Sequence, residues 1–140
     1  MFVSMNPRKQ GDLGEYSAFE WVGSRGYPVW LPFGHSPDVD LVTRIDERLV
    51  GVQVKTSTVL VNRRYQVALR TNGGNRSWSG LVKCFSPERC DWLFVLVADG
   101  RRWFLPAAEV GGGAKILLGG PKYAAYEVER GRPLSEAIAA

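Results

Sequence analysis

Asp40, Gln53 and Lys55 have the side-chain types that divalent-cation chemistry on a phosphate ester requires. A carboxylate and an amide carbonyl are hard oxygen ligands, and Mg²⁺ commonly takes one or two carboxylates together with water and substrate phosphate. A lysine adds a compact point charge able to meet a phosphate oxygen. Gln53 and Lys55 sit in GVQVKTS (51–57), where Val52 and Val54 alternate with them. In a strand the valines then face one way and the polar pair the other. Facing open solvent, the pair is ordinary surface; on the floor of a cleft, it sets a neutral oxygen ligand beside a fixed cation. The set holds a single carboxylate, because a glutamine stands where a second acid is more usual. Glu15 is the carboxylate that can restore the missing charge.

Two strands and a helix must bring these groups together. Residues 39–45 and 49–58 read as strands joined by the tight polar turn DER, which makes them antiparallel neighbours. Pairing of 45 with 49 sets 40 opposite 54, within reach of cross-strand and diagonal neighbours, and a one-residue slip would alter it. A helix is expected from Asp12, with Glu15 in the sense of a capping box, to about Arg25, stopping at Gly26. Ala18, Phe19 and Val22 form its apolar stripe. Glu15 lies at the N-terminal end of that stripe, where an inward acid is costly unless paired. Capping and the helix dipole would also account for it, worth about 1 kcal/mol.

Further strands are expected within YPVWLPF (27–33), at 65–70, and as a hairpin over 91–106 around Asp99-Gly100. Leu93–Val97 is apolar on both faces, as in a central strand. SPERC reads as one helical turn, PAAEV as a short helix, and 114–120 as a glycine-bounded apolar stretch. The order predicts one α/β domain over 1–140, with residues 1–10 as a loose basic arm.

SPDVDLV (36–42) followed by VGVQVKTS (50–57) resembles the PD-(D/E)XK nuclease superfamily. More closely it is similar to the branch of group I intron-associated homing endonuclease-like proteins whose last motif is Q-x-K. GDLGE resembles that branch's first-helix acid, GYPVWLPFG the segment before the motif, and CDWLFVLV with RRWFLP the hairpin after it. The resemblance implies a restriction-endonuclease-like core with a central mixed β-sheet flanked by helices. It implies Mg²⁺, with Mn²⁺ as a substitute, held by Asp40, Gln53 and Glu15, with Lys55 as the catalytic lysine. The implied reaction is hydrolysis of a DNA phosphodiester. The literal Pro-Asp is Pro37-Asp38, so Asp38 is the alternative to Asp40. Two other readings share this fold: a structure-selective nuclease such as a Holliday-junction resolvase, and a catalytically silent DNA-binding module.

The net charge of +4, from 18 basic and 14 acidic residues, permits a polyanionic partner. Arg63, Arg64, Arg70, Arg76 and Lys83, with Trp78, gather around a Gly-, Asn- and Ser-rich segment and suggest phosphate contacts, although such residues also make ordinary solvated surface. Thr56 and Ser57 either contact phosphate or end the strand. His35, the one histidine, is expected to hold a loop rather than act as a general base. Arg101 and Arg102 read as a hairpin tip in water. Cys84 and Cys90 lack zinc-ligand spacing and read as plain thiols. No apolar run reaches the ~18 residues of a membrane helix, and no signal-peptide core is present, so a cytoplasmic protein is expected. One cluster cuts one strand, so a double-strand cut calls for a homodimer or homotetramer. The 114–120 stretch with Tyr123 and Tyr126 either supplies that contact or completes the chain's own core.

Overall fold

The computed structural model describes residues 6–34, 38–72, 82–83 and 85–134, with 71–72 and 82–83 described by their backbone alone. Helix α1 spans Pro7–Ser24. Asn6 starts it by accepting the Arg8 backbone N–H at 2.8 Å, and Pro7 fills the first helical position, where a missing N–H costs nothing. The helix therefore begins well before the expected Asp12. Asp12 and Glu15 lie inside it rather than forming a capping box, and residues 7–10 of the expected arm are helical. It closes at Gly26, whose φ of +81° suits glycine. Gly14, Ala18, Trp21 and Val22 are its buried positions, with Trp21 taking the place expected for Phe19.

The strands follow as β1 (Val29–Trp30), β2 (Leu41–Ile45), β3 (Arg48–Ser57), β4 (Leu60–Val61), β5 (Arg64–Ala68), β6 (Thr71–Asn72), β7 (Val82–Lys83), β8 (Trp92–Val97) and β9 (Arg102–Pro106). The short helix α2 (Ala107–Val110), β10 (Lys115–Leu118), a 3₁₀ turn (Ala124–Tyr126) and β11 (Glu127–Val128) complete the order. A six-stranded sheet runs β1-β2-β3-β8-β9-β11, and β3 and β8 are its parallel pair. The sheet is thus mixed and flanked by helix, as an α/β core requires. A second sheet, β10-β5-β4, covers the face opposite α1.

Strand β8 shows why the Leu93–Val97 run is apolar throughout. Phe94 and Leu96 pack with Trp21, Val22 and Val52 beneath α1, while Leu93, Val95 and Val97 pack with Val67, Ile116 and Leu118 of the second sheet. Both faces are buried, so neither alternates with polar residues. Ile116, Leu118 and Tyr123 are therefore part of the chain's own core and not an exposed contact.

The β2–β3 turn corrects the expected register. It has two residues, Asp46 and Glu47, with φ of 50° and 64°, the type I′ geometry that matches strand twist. Ile45 pairs with Arg48, and Leu41 with Val52. The position next across from Asp40 is then Gln53, not Val54.

The double-arginine hairpin tip is also corrected. Arg102 is only 3% exposed and points beneath α1. Its Nε donates to the Glu129 carbonyl at 2.7 Å, and its guanidinium bonds Ser17 and ion-pairs with Glu20. Arg101 donates twice to Glu127 at 2.9 Å and lies 4.9 Å over the Trp103 ring. A guanidinium has enough donors for such burial to be satisfied, and doublet spacing gives no sign of it. Among the described residues no helix is long and apolar enough to cross a membrane.

Candidate active site

Strand β3 outruns its neighbour. Its pairing with β2 ends at Val52–Leu41, whereas its parallel pairing with β8 continues to Ser57. Beyond Val52 one edge of β3 would expose unpaired backbone, which a buried setting penalises. Asp40 occupies that fork. Its backbone N–H donates to the Val52 carbonyl at 2.8 Å, and its Oδ2 accepts the Val54 N–H at 2.7 Å. The carboxylate is thus locked in place by the sheet it terminates.

Helix α1 brings Glu15 to the same point, and a missing side chain lets it approach. A Cβ on Gly14 would lie 2.4 Å from Thr56 Cγ2 and 3.3 Å from Val54 Cγ1. Gln10 Nε2 donates to Thr56 Oγ1 at 3.0 Å, which fixes the helix along β3. Burial, a hydrogen bond to Asp40 and the negative charges of Asp40 and Asp12 push the Glu15 carboxyl up to about 7. Glu15 therefore holds its proton until pH approaches neutrality.

Gln53 and Lys55 alternate with Val52 and Val54, so they occupy the face of β3 away from α1. Burial lowers the Lys55 pKa, while the charge of Asp40 partly offsets that. The buried Cys90 joins this group. Its thiol is pushed up to about 11 by burial and by Asp91, Asp38 and Asp40, so it is a neutral neighbour of Lys55. Asp91, next to it, accepts the Gly51 N–H at 2.8 Å and ties β3 to the start of β8. Sequence spacing did not bring Cys90 or Asp91 to this site, because only the parallel β3–β8 pairing makes them neighbours.

Glu15 and Asp40 thus meet directly, Lys55 lies within the field of Asp40, and Gln53 stands next across the strand pair. Asp38 is placed toward Cys90. Thr56 and Ser57 serve the fold: Thr56 bonds Gln10, and the buried Ser57 hydroxyl donates to the Gln66 carbonyl and accepts the Val59 N–H. Arg63, Arg64 and Arg70 are exposed on and beyond the β4–β5 hairpin. His35, Arg76, Trp78, Cys84 and the side chain of Lys83 lie outside the described residues.

Among the described residues no group of three or more His, Cys, Asp or Glu side chains converges. Two apposed carboxyls beside an amide carbonyl suit a hard cation that retains water and binds substrate phosphate, as Mg²⁺ does. Burial first, then the hydrogen bond to Asp40 and the negative charges of Asp40 and Asp12, disfavour a charged Glu15, and a bound cation would offset that cost. A cavity of about 520 Å³ lies elsewhere, on the other flank of α1 beside Ser17, Glu20 and Arg102. It is distinct from the Asp40 cluster and encloses none of its residues.

No curated protein matches the chain in sequence. Its fold is similar to that of a solved structure described as a bacterial homing endonuclease, I-Ssp6803I, with a TM-score of 0.73 at 21% identity over 88% of this chain and 89% of that one. The model of the PD-(D/E)XK endonuclease family matches residues 5–118, a span that takes in Glu15, Asp40, Gln53 and Lys55, and the chain belongs to that family.

Proposed function

We propose that the chain is a Mg²⁺-dependent deoxyribonuclease, homing-endonuclease-like, that hydrolyses phosphodiester bonds at the Glu15–Asp40–Gln53–Lys55 cluster. The observation that carries this reading is the fork at Val52. There one aspartate is locked by the backbone of the strand that bears Gln53 and Lys55, while a helix presses a second carboxyl against it. Asp40, Glu15 and Gln53 would hold Mg²⁺, or Mn²⁺ in its place, and the ion when bound supplies charge neutralisation at the phosphate. The Val54 N–H keeps the Asp40 carboxylate oriented. Glu15, whose carboxyl is pushed up to about 7, would release its proton on taking up the ion. Lys55 stabilises negative charge that develops on the phosphate oxygens, and its fixed place on β3 means that no reorganisation is needed at that moment. Arg63, Arg64 and Arg70, with Arg76, Trp78 and Lys83, are assigned to binding the DNA backbone. Membership of an endonuclease family and the fold shared with a homing endonuclease support DNA as substrate.

The test is incubation of wild type, Asp40→Ala and Lys55→Ala with plasmid and linear DNA in Mg²⁺, Mn²⁺, Ca²⁺ and EDTA. Wild type should cut in Mg²⁺ and Mn²⁺ and not in EDTA, and both variants should lose cutting. Binding without cutting by wild type in Mg²⁺ and Mn²⁺ would instead make the chain a DNA-binding module on this fold.

A further inference from the structure

The face of β3 that carries Gln53 and Lys55 continues outward across β2 and β1. Leu41 and Val52 are buried beneath α1, with Val29 and Ile45 packed against them, so the alternate residues face the other way. Trp30 pairs with Val42, and Arg44 with Leu49, on that second face. The outer part of this wing is open. Trp30 is 43% exposed, Leu31 and Leu49 are more so, and Phe33 is fully exposed at 107%. The Arg44 guanidinium lies 5.3 Å over the Trp30 ring. Because β1 runs antiparallel to β2, the chain beyond Trp30 heads toward the Asp40 end of β2 and carries Leu31 and Phe33 with it. Gly34, with φ of +82°, turns the segment there.

This reading rests on the proposed endonuclease activity and deepens it. We propose that Trp30 and Phe33 are a base-stacking platform beside the cleavage cluster, with Arg44 holding an adjacent phosphate. The substrate class is then DNA with unstacked or unpaired bases next to the cut bond. Aromatic faces accept any base by stacking, and an arginine beside them supplies the charge that a polyanion needs. A fully paired duplex must be kinked before its bases can reach such a surface, whereas a branched or gapped one need not be. Trp30 and Arg44 share one sheet face with Gln53 and Lys55, and the exposed Phe33 follows Trp30 toward the Asp40 end of β2, so one DNA molecule can meet both platform and cluster. The Arg44 guanidinium over the exposed Trp30 ring, with Phe33 open beside it, supplies both the charge and the aromatic faces that a polyanion of stacking bases requires, which favours this occupant.

The experiment uses the full chain in Ca²⁺ to compare binding of a paired duplex with that of the same duplex carrying unpaired bases at one position, labelled there with 2-aminopurine. Wild type should prefer the unpaired substrate about 10-fold, and the probe's fluorescence should be quenched on binding. Trp30→Ala and Phe33→Ala should each lose most of that preference, while Phe33→Tyr should keep it. Phe33 makes no buried contact, so its replacement should leave the melting temperature unchanged. Equal binding of both substrates, or an unaltered preference in both alanine variants, overturns the platform. So does a sedimentation result in which DNA-free wild type is an oligomer that Phe33→Ala splits. Lys55-dependent cutting that persists alongside such results would show that the platform has failed and the endonuclease reading has not.

Discussion

Lys55 must remain a cation in surroundings that disfavour one. Burial lowers its pKa, and Asp40 is the first group that opposes this. Removing the amine should leave the DNA-contacting surface intact and remove only charge stabilisation at the reacting phosphate. Lys55→Ala is therefore expected to cut about 10²-fold more slowly, or less still, and to bind DNA in Ca²⁺ as wild type does. Single-turnover cleavage with a parallel binding titration checks both halves. Glu15 gives a prediction of opposite character. Its carboxyl titrates near 7 in the folded chain and at an ordinary 4.5 when unfolded. Between those values the folded state binds more protons, so in EDTA stability should fall as pH rises from about 4.5 to about 7 and then level off. Glu15→Gln should flatten that profile and be the more stable form at pH 8, measured by thermal melts across pH. Strand alternation put Gln53 and Lys55 on one face in the sequence, and an inward acid marked Glu15. Cys90 was not legible, because nothing in its neighbourhood signals a parallel pairing with residues far upstream.

At the scale of elements, the site depends on two close fits. The first is α1 against β3 at Gly14, where a Cβ would meet Thr56 at 2.4 Å. Gly14→Ala forces that contact apart, at about 1–3 kcal/mol of stability, and moves the adjacent Glu15 away from Asp40. Denaturant unfolding should show the loss, and cleavage should fall with it. The second is the β2–β3 turn, where Asp46 and Glu47 hold left-handed backbone. Glu47→Gly should relieve about 1 kcal/mol of that strain and leave cutting unchanged. The hairpin itself was legible in the sequence, but its register was not. DER offered no Asn-Gly or Asp-Gly signal, and two non-glycine residues in the left-handed region gave no warning of a two-residue turn. The start of α1 was missed for a similar local reason: Asn6-Pro7 is a cap followed by a first-turn proline, set in a stretch whose basic, polar composition suggested a loose arm.

For the whole molecule, the net charge of +4 and the exposed Arg63, Arg64 and Arg70 lead to the prediction that phosphate contacts dominate DNA affinity. Log affinity should then fall with log salt at a slope near −0.9 per phosphate neutralised, and Arg63→Ala should reduce that slope by about one unit. A flat salt profile would count against a nucleic-acid partner. The mixed sheet and its flanking helix were legible as an order of elements, since long apolar runs and turn residues mark it. The second sheet was not, because Ile116 and Leu118 are as apolar as an exposed contact surface would be. Metal-dependent cleavage by this one cluster is decided by Asp40→Ala and Lys55→Ala on plasmid DNA, with cutting in Mg²⁺ and binding in Ca²⁺ measured side by side. Both variants should cut at least about 10²-fold more slowly than wild type, Lys55→Ala should bind DNA as wild type does, and Asp40→Ala should also lose affinity for the ion. Undiminished cutting by both variants would contradict it.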